Sequence, residues 1–288
     1  MNTQAKGLLI TALGVGFVIP DSLVVRLVDI DTPTFIFIRG GLAGIIITLA
    51  ICLIYRGNTR RAFTAPGFKG LQYAAFLAVS TFCFIFALRH TSIANALFIT
   101  STSPVFAALA SRIFLNEPLS PRMVWTTFFA LLGIAIIALG SQEVQTASLF
   151  GDMLALGAAA GLAFAFTTAR HMKHVSMVPT TAIGYGITSV AMLPWITLSG
   201  ISAQDWAWML ILGCMFVPLG TSLMSLGPRF ITSAEVSLLL LLEAVFAPLL
   251  VWWVVGENPG FWALVGGAVV LGTLVVSNTI ALHRSKAT

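Results

Sequence analysis

Charged residues are scarce in this sequence. Only 9% of its 288 residues are Asp, Glu, Lys or Arg, whereas 58% are hydrophobic. Soluble domains carry about 25% charged residues, so a water-soluble fold could not hide this much apolar surface. Lipid must therefore be the solvent for much of the chain, and the composition predicts an integral membrane protein.

Cysteine and histidine are also rare, which argues against a disulfide framework or a metal centre. The cysteines lie singly within apolar runs, at Cys52, Cys83 and Cys214. We interpret them as small packing residues. His171 and His174 are one helical turn apart, but they lie beside Arg170 and Lys173 at a predicted cytoplasmic helix end, so we interpret them as solvated. We predict no metal and no cofactor.

Motifs for ATP hydrolysis and for hydrolytic catalysis are absent. No G-x-x-x-x-G-K-[ST] loop occurs, so the chain is not expected to hydrolyse ATP. Neither H-E-x-x-H nor G-x-S-x-G occurs, and no histidine lies at the centre of a predicted helix. These absences argue against an intramembrane enzyme. A channel or lipid scramblase stays as an alternative to a carrier, and it would show flux that does not saturate.

Long apolar runs dominate the chain. A helix needs about 20 such residues to cross a bilayer core. We predict ten transmembrane helices at 7–28, 33–55, 69–88, 91–115, 122–140, 149–170, 179–199, 206–228, 231–255 and 259–282. Residues 12–14 resemble a signal-peptidase site, but the apolar run continues to Val28, so the first span is expected to be retained. Prolines inside spans, including Pro20, Pro104 and Pro218, predict kinks.

Positive residues sort to one side when the N-terminus is placed in the cytoplasm, as the positive-inside rule requires. The cytoplasmic segments then hold Lys6, Arg56, Arg60, Arg61, Lys69, Arg112, Arg122, Arg170, Lys173, Arg229, Arg284 and Lys286. The outer side keeps Arg26, Arg39 and Arg89, and the loops near Glu143, Asp205 and Glu257 have no Lys or Arg. We predict a multi-pass protein of the bacterial inner membrane with both termini cytoplasmic.

The two halves of the sequence resemble each other. At an offset of 140 residues, Thr81 aligns with Thr221, Arg89 with Arg229, Ala94 with Ala234 and Glu117 with Glu257. At an offset of 146 residues, Pro33-Thr34 aligns with Pro179-Thr180 and Gly40 with Gly186. Because five spans per half is an odd number, the second half must enter the membrane from the opposite side. The sequence therefore predicts an all-α fold of two inverted five-helix repeats, residues 1–145 and 146–288, around a central cavity.

Short motifs identify a family. Arg39 lies early in the second span, and the fourth span carries Pro104-Val105-Phe106 before Asn116-Glu117-Pro118. Glu243-Ala244-Val245-Phe246 before Gly256-Glu257 repeats that signature in the ninth span. The whole chain resembles the EamA-type, ten-helix branch of the drug/metabolite transporter superfamily, although Ala244 stands where that family often has proline. The resemblance implies a cavity lined by spans 1, 3, 4, 6, 8 and 9, and export of small metabolites, which in some relatives are amino acids.

Charged groups at membrane depth are costly and are functional hypotheses by default. Asp21 and Arg39 are both expected roughly 9–11 Å below the outer surface, at 1.5 Å per residue, on neighbouring antiparallel helices. We predict that they form a buried ion pair, with a direct role in substrate binding as the alternative. Glu235 lies near the inner end of the ninth span, and its repeat partner Asn95 lies near the outer end of the fourth. These two are candidate gates or ordinary interfacial residues.

Glu243 is expected about twelve residues into the ninth span, roughly 18 Å deep and near the centre of the bilayer core. No Lys or Arg is predicted at that depth. Glu243 is therefore a candidate for binding a substrate amine, for carrying a coupling proton, or for a structural hydrogen bond between helices. The predicted cavity residues are Thr81, Phe84, Asn95, Ser103, Thr221, Ser222, Glu235 and Glu243.

A cavity with few charges suits small apolar or zwitterionic solutes. Phosphate groups usually require Lys or Arg clusters, and none is predicted at the midplane. We predict export of amino acids, aromatic or apolar ones included, with broad drug or metabolite efflux as the alternative. Gly40-x-x-x-Gly44 and Gly157-x-x-x-Gly161 are interpreted as packing motifs within the chain, so a monomer or a weak homodimer in the lipid bilayer is expected, with no nucleic-acid partner.

Overall fold

The protein is described by a computed structural model over residues 3–91, 93–118, 120–140, 148–256 and 261–284. These residues form α-helices and short helical turns, with no strand. The helices are α1 (Thr3–Val18), α2 (Pro20–Leu27), α3 (Thr32–Tyr55), α4 (Thr59–Thr64), α5 (Gly67–His90), α6 (Ile93–Thr100), α7 (Ser103–Phe114), α8 (Pro121–Gly140), α9 (Leu149–His171), α10 (Val178–Met192), α11 (Ala203–Ile211), α12 (Val217–Leu226), α13 (Ser233–Val255) and α14 (Phe261–Arg284). A π-helical turn, Leu212–Phe216, joins α11 to α12.

Eight helical stretches within the described residues are long and apolar enough to cross a membrane. They are Thr3–Leu27, Thr32–Thr64, Gly67–His90, Ala96–Phe114, Leu149–His171, Ala203–Arg229, Ser233–Val254 and Leu264–Ala281. The predicted all-helical, multi-pass membrane fold is confirmed. The seventh predicted span corresponds to α10, which at 15 residues falls short of that length. The fifth corresponds to α8, of which the apolar stretch Pro121–Ile137 is described in full, so the count of ten spans stays a prediction.

Proline interrupts three of the predicted spans. Proline lacks a backbone N–H and clashes with the carbonyl group four residues earlier, so it disrupts a helix interior but suits a first turn. Pro20 begins α2, Pro104 lies in the first turn of α7, and Pro218 lies in the first turn of α12, after the π-helical turn. Helix geometry therefore changes near the middle of each of these spans, which allows a local change of direction there.

Helices of the N-terminal half pack mainly against helices of the C-terminal half. Five of these pairs are α1 with α12, α5 with α9, α3 with α10, α7 with α13 and α8 with α14, and α5 also packs against α10. Exchanging each helix with its predicted repeat counterpart turns the α1–α12 pair into the α9–α5 pair. The same exchange leaves the other three pairs unchanged, as two halves related by a twofold axis require.

Glycine allows the closest of these approaches. A Cβ atom at Gly14 in α1 would lie 2.8 Å from the carbonyl oxygen of Gly220 in α12, and one at Gly220 would lie 2.9 Å from that of Gly14. Cβ atoms at Gly40 and at Gly161 would lie 3.0 Å from the Tyr185 carbonyl oxygen and 3.1 Å from the Phe76 carbonyl oxygen. The predicted small-residue motifs therefore pack helices within the chain.

The aligned arginines Arg89 and Arg229 each bind a connection between helices, on the predicted outer and cytoplasmic sides respectively. Arg89, at the end of α5, donates a hydrogen bond of 3.0 Å from Nη2 to the carbonyl oxygen of Ile30, just before α3. Arg229, which follows α12, donates one of 3.1 Å from Nε to the carbonyl oxygen of Lys173, just before α10. The aligned residues make the same type of contact in each half.

Candidate functional site

A cavity lies between helices of both halves. Its wall is formed by α1, α2, α3, α5, α6, α9, α10, α12 and α13, and it is mainly apolar, with leucine and alanine side chains. This set extends the one that the family resemblance implied, because α3 contributes Arg39 and α10 contributes Tyr185. An apolar wall with a few polar groups is typical of small-molecule sites.

Six of the residues singled out from the sequence lie on this wall. They are Asp21, Arg39, Thr81, Phe84, Thr221 and Glu243. Thr81 and Thr221, which align in the predicted repeat, lie on α5 and α12. The structure therefore brings the predicted charged residues and the symmetric threonines to one cavity.

Arg39 and Asp21 form a buried ion pair. Arg39 Nε donates to both Asp21 carboxylate oxygens, at 3.0 and 3.1 Å, and Nη2 also donates to Oδ2. Asp21 is 1% exposed and Arg39 is 5% exposed. Because Pro20 starts a new helix, Asp21 lies in a first turn, where the helix dipole favours a negative charge. Pairing offsets the cost of burying both charges, which would be severe for either one alone.

Nη1 is the nitrogen of the Arg39 guanidinium that takes no part in the ion pair with Asp21. Its carbon atom Cζ lies 5.5 Å from the centroid of the Tyr185 ring, within the range of a cation–π contact. Nη1 is buried and makes no hydrogen bond of 3.5 Å or less within the described residues, although the Tyr185 hydroxyl lies near enough to interact with the guanidinium group. Tyr185 was not singled out from the sequence, although it is one of only three tyrosines and lies within an apolar span.

Glu243 is linked to the short helix α2. The Ser22 hydroxyl donates a hydrogen bond of 3.1 Å to Glu243 Oε1, and both side chains are buried. The sequence predicted no arginine at the depth of Glu243, and this is corrected by the structure, since Arg39 lines the same cavity. Backbone depth alone does not locate the charge, because an arginine side chain is long.

Two predicted cavity residues lie off the wall in the structure. Ser103, at the start of α7, is buried, and its hydroxyl donates a hydrogen bond of 3.4 Å to Ser237 Oγ in α13. Ser222 lies on α12 beside Thr221, and its carbonyl oxygen accepts a hydrogen bond from Ser225. The side chain of Asn95 lies outside the described residues.

Glu235 also lies away from the cavity, at the start of α13. It forms a capping box with Thr232 and accepts a hydrogen bond from Arg122 Nη2, with which it forms an ion pair. Gln4 Nε2 donates to the same carboxylate at 3.3 Å. Glu235 therefore joins α1, α8 and α13 at the predicted cytoplasmic side.

A second ion pair lies at the same predicted side. Arg170 Nε, at the end of α9, lies 2.9 Å from Glu117 Oε1. Arg170 Nη1 also donates to the carbonyl oxygen of Pro228, at 3.2 Å. Neither pair was predicted from the sequence, because the partners are far apart in the chain. No group of three potential metal ligands occurs in the part of the chain that the structure describes.

Proteins of similar sequence are named as transporters. The chain is 25% identical over 256 residues to an uncharacterized transporter of Archaeoglobus fulgidus, with 89% of this chain and 90% of that protein covered. It is 24% identical over 258 residues to the pseudopaline exporter CntI of Pseudomonas aeruginosa, with 87% and 86% covered. A match to the riboflavin transporter of Brucella anthropi is 32% identical over 93 residues and covers 32% of this chain and 33% of that protein.

A protein of known crystal structure has the same fold, with a TM-score of 0.81 and 15% identity over 97% of this chain and 99% of that one. The profile of the EamA-like transporter family matches the chain twice, at residues 6–139 and 149–279. Together these matches span most of the sequence and confirm the family resemblance. The chain is a membrane transporter rather than an enzyme, and it belongs to the EamA-like transporter family.

Proposed function

We propose that this transporter exports small metabolites, and amino acids with apolar or aromatic side chains in particular, by alternating access. The observation that carries the proposal is an apolar cavity whose wall holds both a carboxyl group, Glu243, and a guanidinium group, Arg39. An amino acid combines one apolar side chain with two opposite charges. In the cavity, the apolar wall matches the side chain, Glu243 matches the ammonium group and Arg39 matches the carboxylate.

The apolar part of the wall suits the substrate side chain. Phe84 and Leu77 on α5 lie on it, together with Leu97 on α6 and Leu162 on α9. Burial of apolar area against such side chains stabilises binding by about 25 cal/mol per Å² before the costs of association are subtracted. Glu243 is the group that would bind the substrate amine.

Alternating access follows from the proposed organisation in two inverted halves, residues 1–145 and 146–288. The family profile matches once in each half. When each helix is replaced by its repeat counterpart, the five helix pairs described above are converted into one another or stay the same. In such a fold the substrate site lies between the halves near the midplane, and exchange of their conformations opens it to either side. The distribution of Lys and Arg supports cytoplasmic termini and a bacterial inner-membrane location.

Broad metabolite efflux is a second candidate. It is favoured by the mainly apolar wall, which selects weakly among solutes of similar size. It is also favoured by the names of two relatives, a riboflavin transporter and a pseudopaline exporter, which denote unlike substrates.

Counterflow in proteoliposomes tests the proposal. Purified full-length protein would be reconstituted, and vesicles would be loaded with an unlabelled solute before labelled L-phenylalanine or L-leucine is added outside. We expect saturable uptake that depends on the internal amino acid and is absent from protein-free vesicles. Exchange of riboflavin but of no amino acid would favour the second candidate, and flux that does not saturate would indicate a channel.

A further inference from the structure

We propose that the Nη1 edge of Arg39 binds the carboxylate of the transported solute. This inference rests on the proposed function and names the substrate chemistry more closely, as a carboxylate beside an amine. It assigns a binding role to Arg39 in addition to its ion pair with Asp21.

The geometry of the ion pair leaves one part of the guanidinium available. Arg39 uses Nε and Nη2 to bind Asp21, and Nη1 keeps two N–H donors with no partner among the described residues. A buried donor without a partner is destabilising, and more so when it is charged. Arg39 lies on the cavity wall, so an anionic ligand in the cavity that reached the buried Nη1 would remove this cost.

The neighbours of Arg39 hold it in position for such a ligand. Asp21 fixes one edge of the guanidinium, and Arg39 Cζ lies over the Tyr185 ring. Guanidinium groups bind carboxylates through short, charge-assisted hydrogen bonds of defined geometry. A group that is already oriented loses little conformational entropy when the ligand binds.

Charge balance favours a zwitterion over a simple anion. Asp21 already offsets the positive charge of Arg39, so a lone carboxylate would add an uncompensated negative charge to a buried cluster. An amino acid adds a carboxylate for Arg39 and an ammonium group for Glu243, with no net charge. Water or chloride at Nη1 would also provide a partner, and the experiment distinguishes these occupants.

The test compares ligands that differ only at the proposed contact. Competition for labelled L-phenylalanine counterflow, and the thermal midpoint of the detergent-solubilised protein, would be measured with L-phenylalanine, phenylalaninamide and phenethylamine. We expect the amide and the amine to compete at least tenfold more weakly than phenylalanine. Equal competition by phenylalanine and its amide would overturn this inference alone. If none of the three compounds competed or changed the thermal midpoint, both this inference and the proposed amino-acid substrate would be overturned.

Arg39→Lys is the informative variant, because a lysine keeps a positive charge for Asp21 but has a single nitrogen. We expect it to fold and to lose the preference for phenylalanine over its amide. Arg89→Lys, outside the cavity, is the matched control and should retain that preference. If Arg39→Lys fully kept the preference for phenylalanine over its amide, the inference would be overturned. It would also be overturned if chloride raised the thermal midpoint of the protein and phenylalanine raised it no further. If Arg39→Lys does not fold, the double change Asp21→Asn with Arg39→Gln replaces it, and the wild-type ligand series decides in either case.

Discussion

The hydroxyl group of Ser22 in α2 donates a hydrogen bond of 3.1 Å to the carboxyl group of Glu243 in α13. The preceding residue, Asp21, binds Arg39 in α3. Two consecutive residues of one short helix therefore contact Arg39 and Glu243, the two ionisable side chains that other helices contribute to the cavity wall. Because Pro20 separates α2 from α1, a small movement of α2 alters the surroundings of Glu243 and Arg39 together.

Glu243→Gln tests the role of the cavity carboxyl group. The amide has nearly the same shape and can still accept the hydrogen bond from Ser22, so we expect a folded protein. We expect concentrative uptake, or affinity for the substrate amine, to fall at least tenfold because the group can no longer be ionised. Glu117→Gln, outside the cavity, is the matched control for loss of a carboxylate. Wild-type transport with unchanged pH dependence would make Glu243 a structural residue.

Asp21→Ala and Arg39→Ala test the ion pair by a double-mutant cycle. Each single change leaves one buried charge without a partner, and we expect a loss of stability of roughly 3–5 kcal/mol. The double change to small neutral residues should recover much of the folded yield and thermal midpoint. A double mutant as unstable as the sum of the single mutants would show that the two charges do not stabilise each other.

Gly14→Ala tests the contact between α1 and α12. The added Cβ atom would lie 2.8 Å from the Gly220 carbonyl oxygen and 2.9 Å from the Met224 nitrogen, which are backbone atoms that cannot move aside cheaply. We expect a loss of about 1–3 kcal/mol. Gly16→Ala is the matched control, because nothing lies within 4 Å of its added Cβ atom. Equal thermal midpoints for the two variants would contradict the close packing.

Most helix positions could be predicted from the sequence, because apolar runs of membrane-spanning length leave few alternatives. The predicted span 33–55 corresponds to α3, Thr32–Tyr55, and 149–170 corresponds to α9, Leu149–His171. The seventh span was placed at 179–199, but α10 ends at Met192. Apolar composition continues beyond that point, so hydropathy alone does not mark the end of the helix.

The cavity residues could be predicted only in part. Asp21, Arg39 and Glu243 are conspicuous because ionisable side chains are rare at membrane depth. Tyr185 and Ser103 depend on helix rotation, which composition does not determine. Their environments follow from packing against the other half, where Ser237 bonds Ser103 and Arg39 lies by Tyr185.

The Arg122–Glu235 pair is expected to hold the predicted cytoplasmic side closed. A reporter cysteine at the buried residue Ser233 would measure its opening. We expect Arg122→Gln to speed labelling of this cysteine several-fold, because the ion pair between α8 and α13 is lost. A reporter at Asn95, near the opposite mouth, should change in the opposite sense when substrate is supplied from one side. Unchanged labelling at both positions would exclude the gate hypothesis.

The predicted topology can be tested by cysteine labelling in a variant whose native cysteines are replaced. A cysteine at Ala287, which lies outside the described residues, should react with a membrane-impermeant reagent only after the cell is opened. Ser199→Cys, in the exposed connection after α10, is the matched control and should react in intact cells. Labelling at position 287 in intact cells would contradict the ten-span topology.

The π-helical turn Leu212–Phe216 precedes α12, whereas the aligned helix α5 is a regular α-helix over its whole length. In the proposed two-half carrier, identical halves would make the inward-facing and outward-facing states equal in free energy. Unlike halves give the two states different resting populations. The apparent affinity on each side is then the intrinsic affinity scaled by the fraction of carriers facing that side. This local difference in helix winding can therefore make the carrier bind the same solute more weakly from one side of the membrane than from the other.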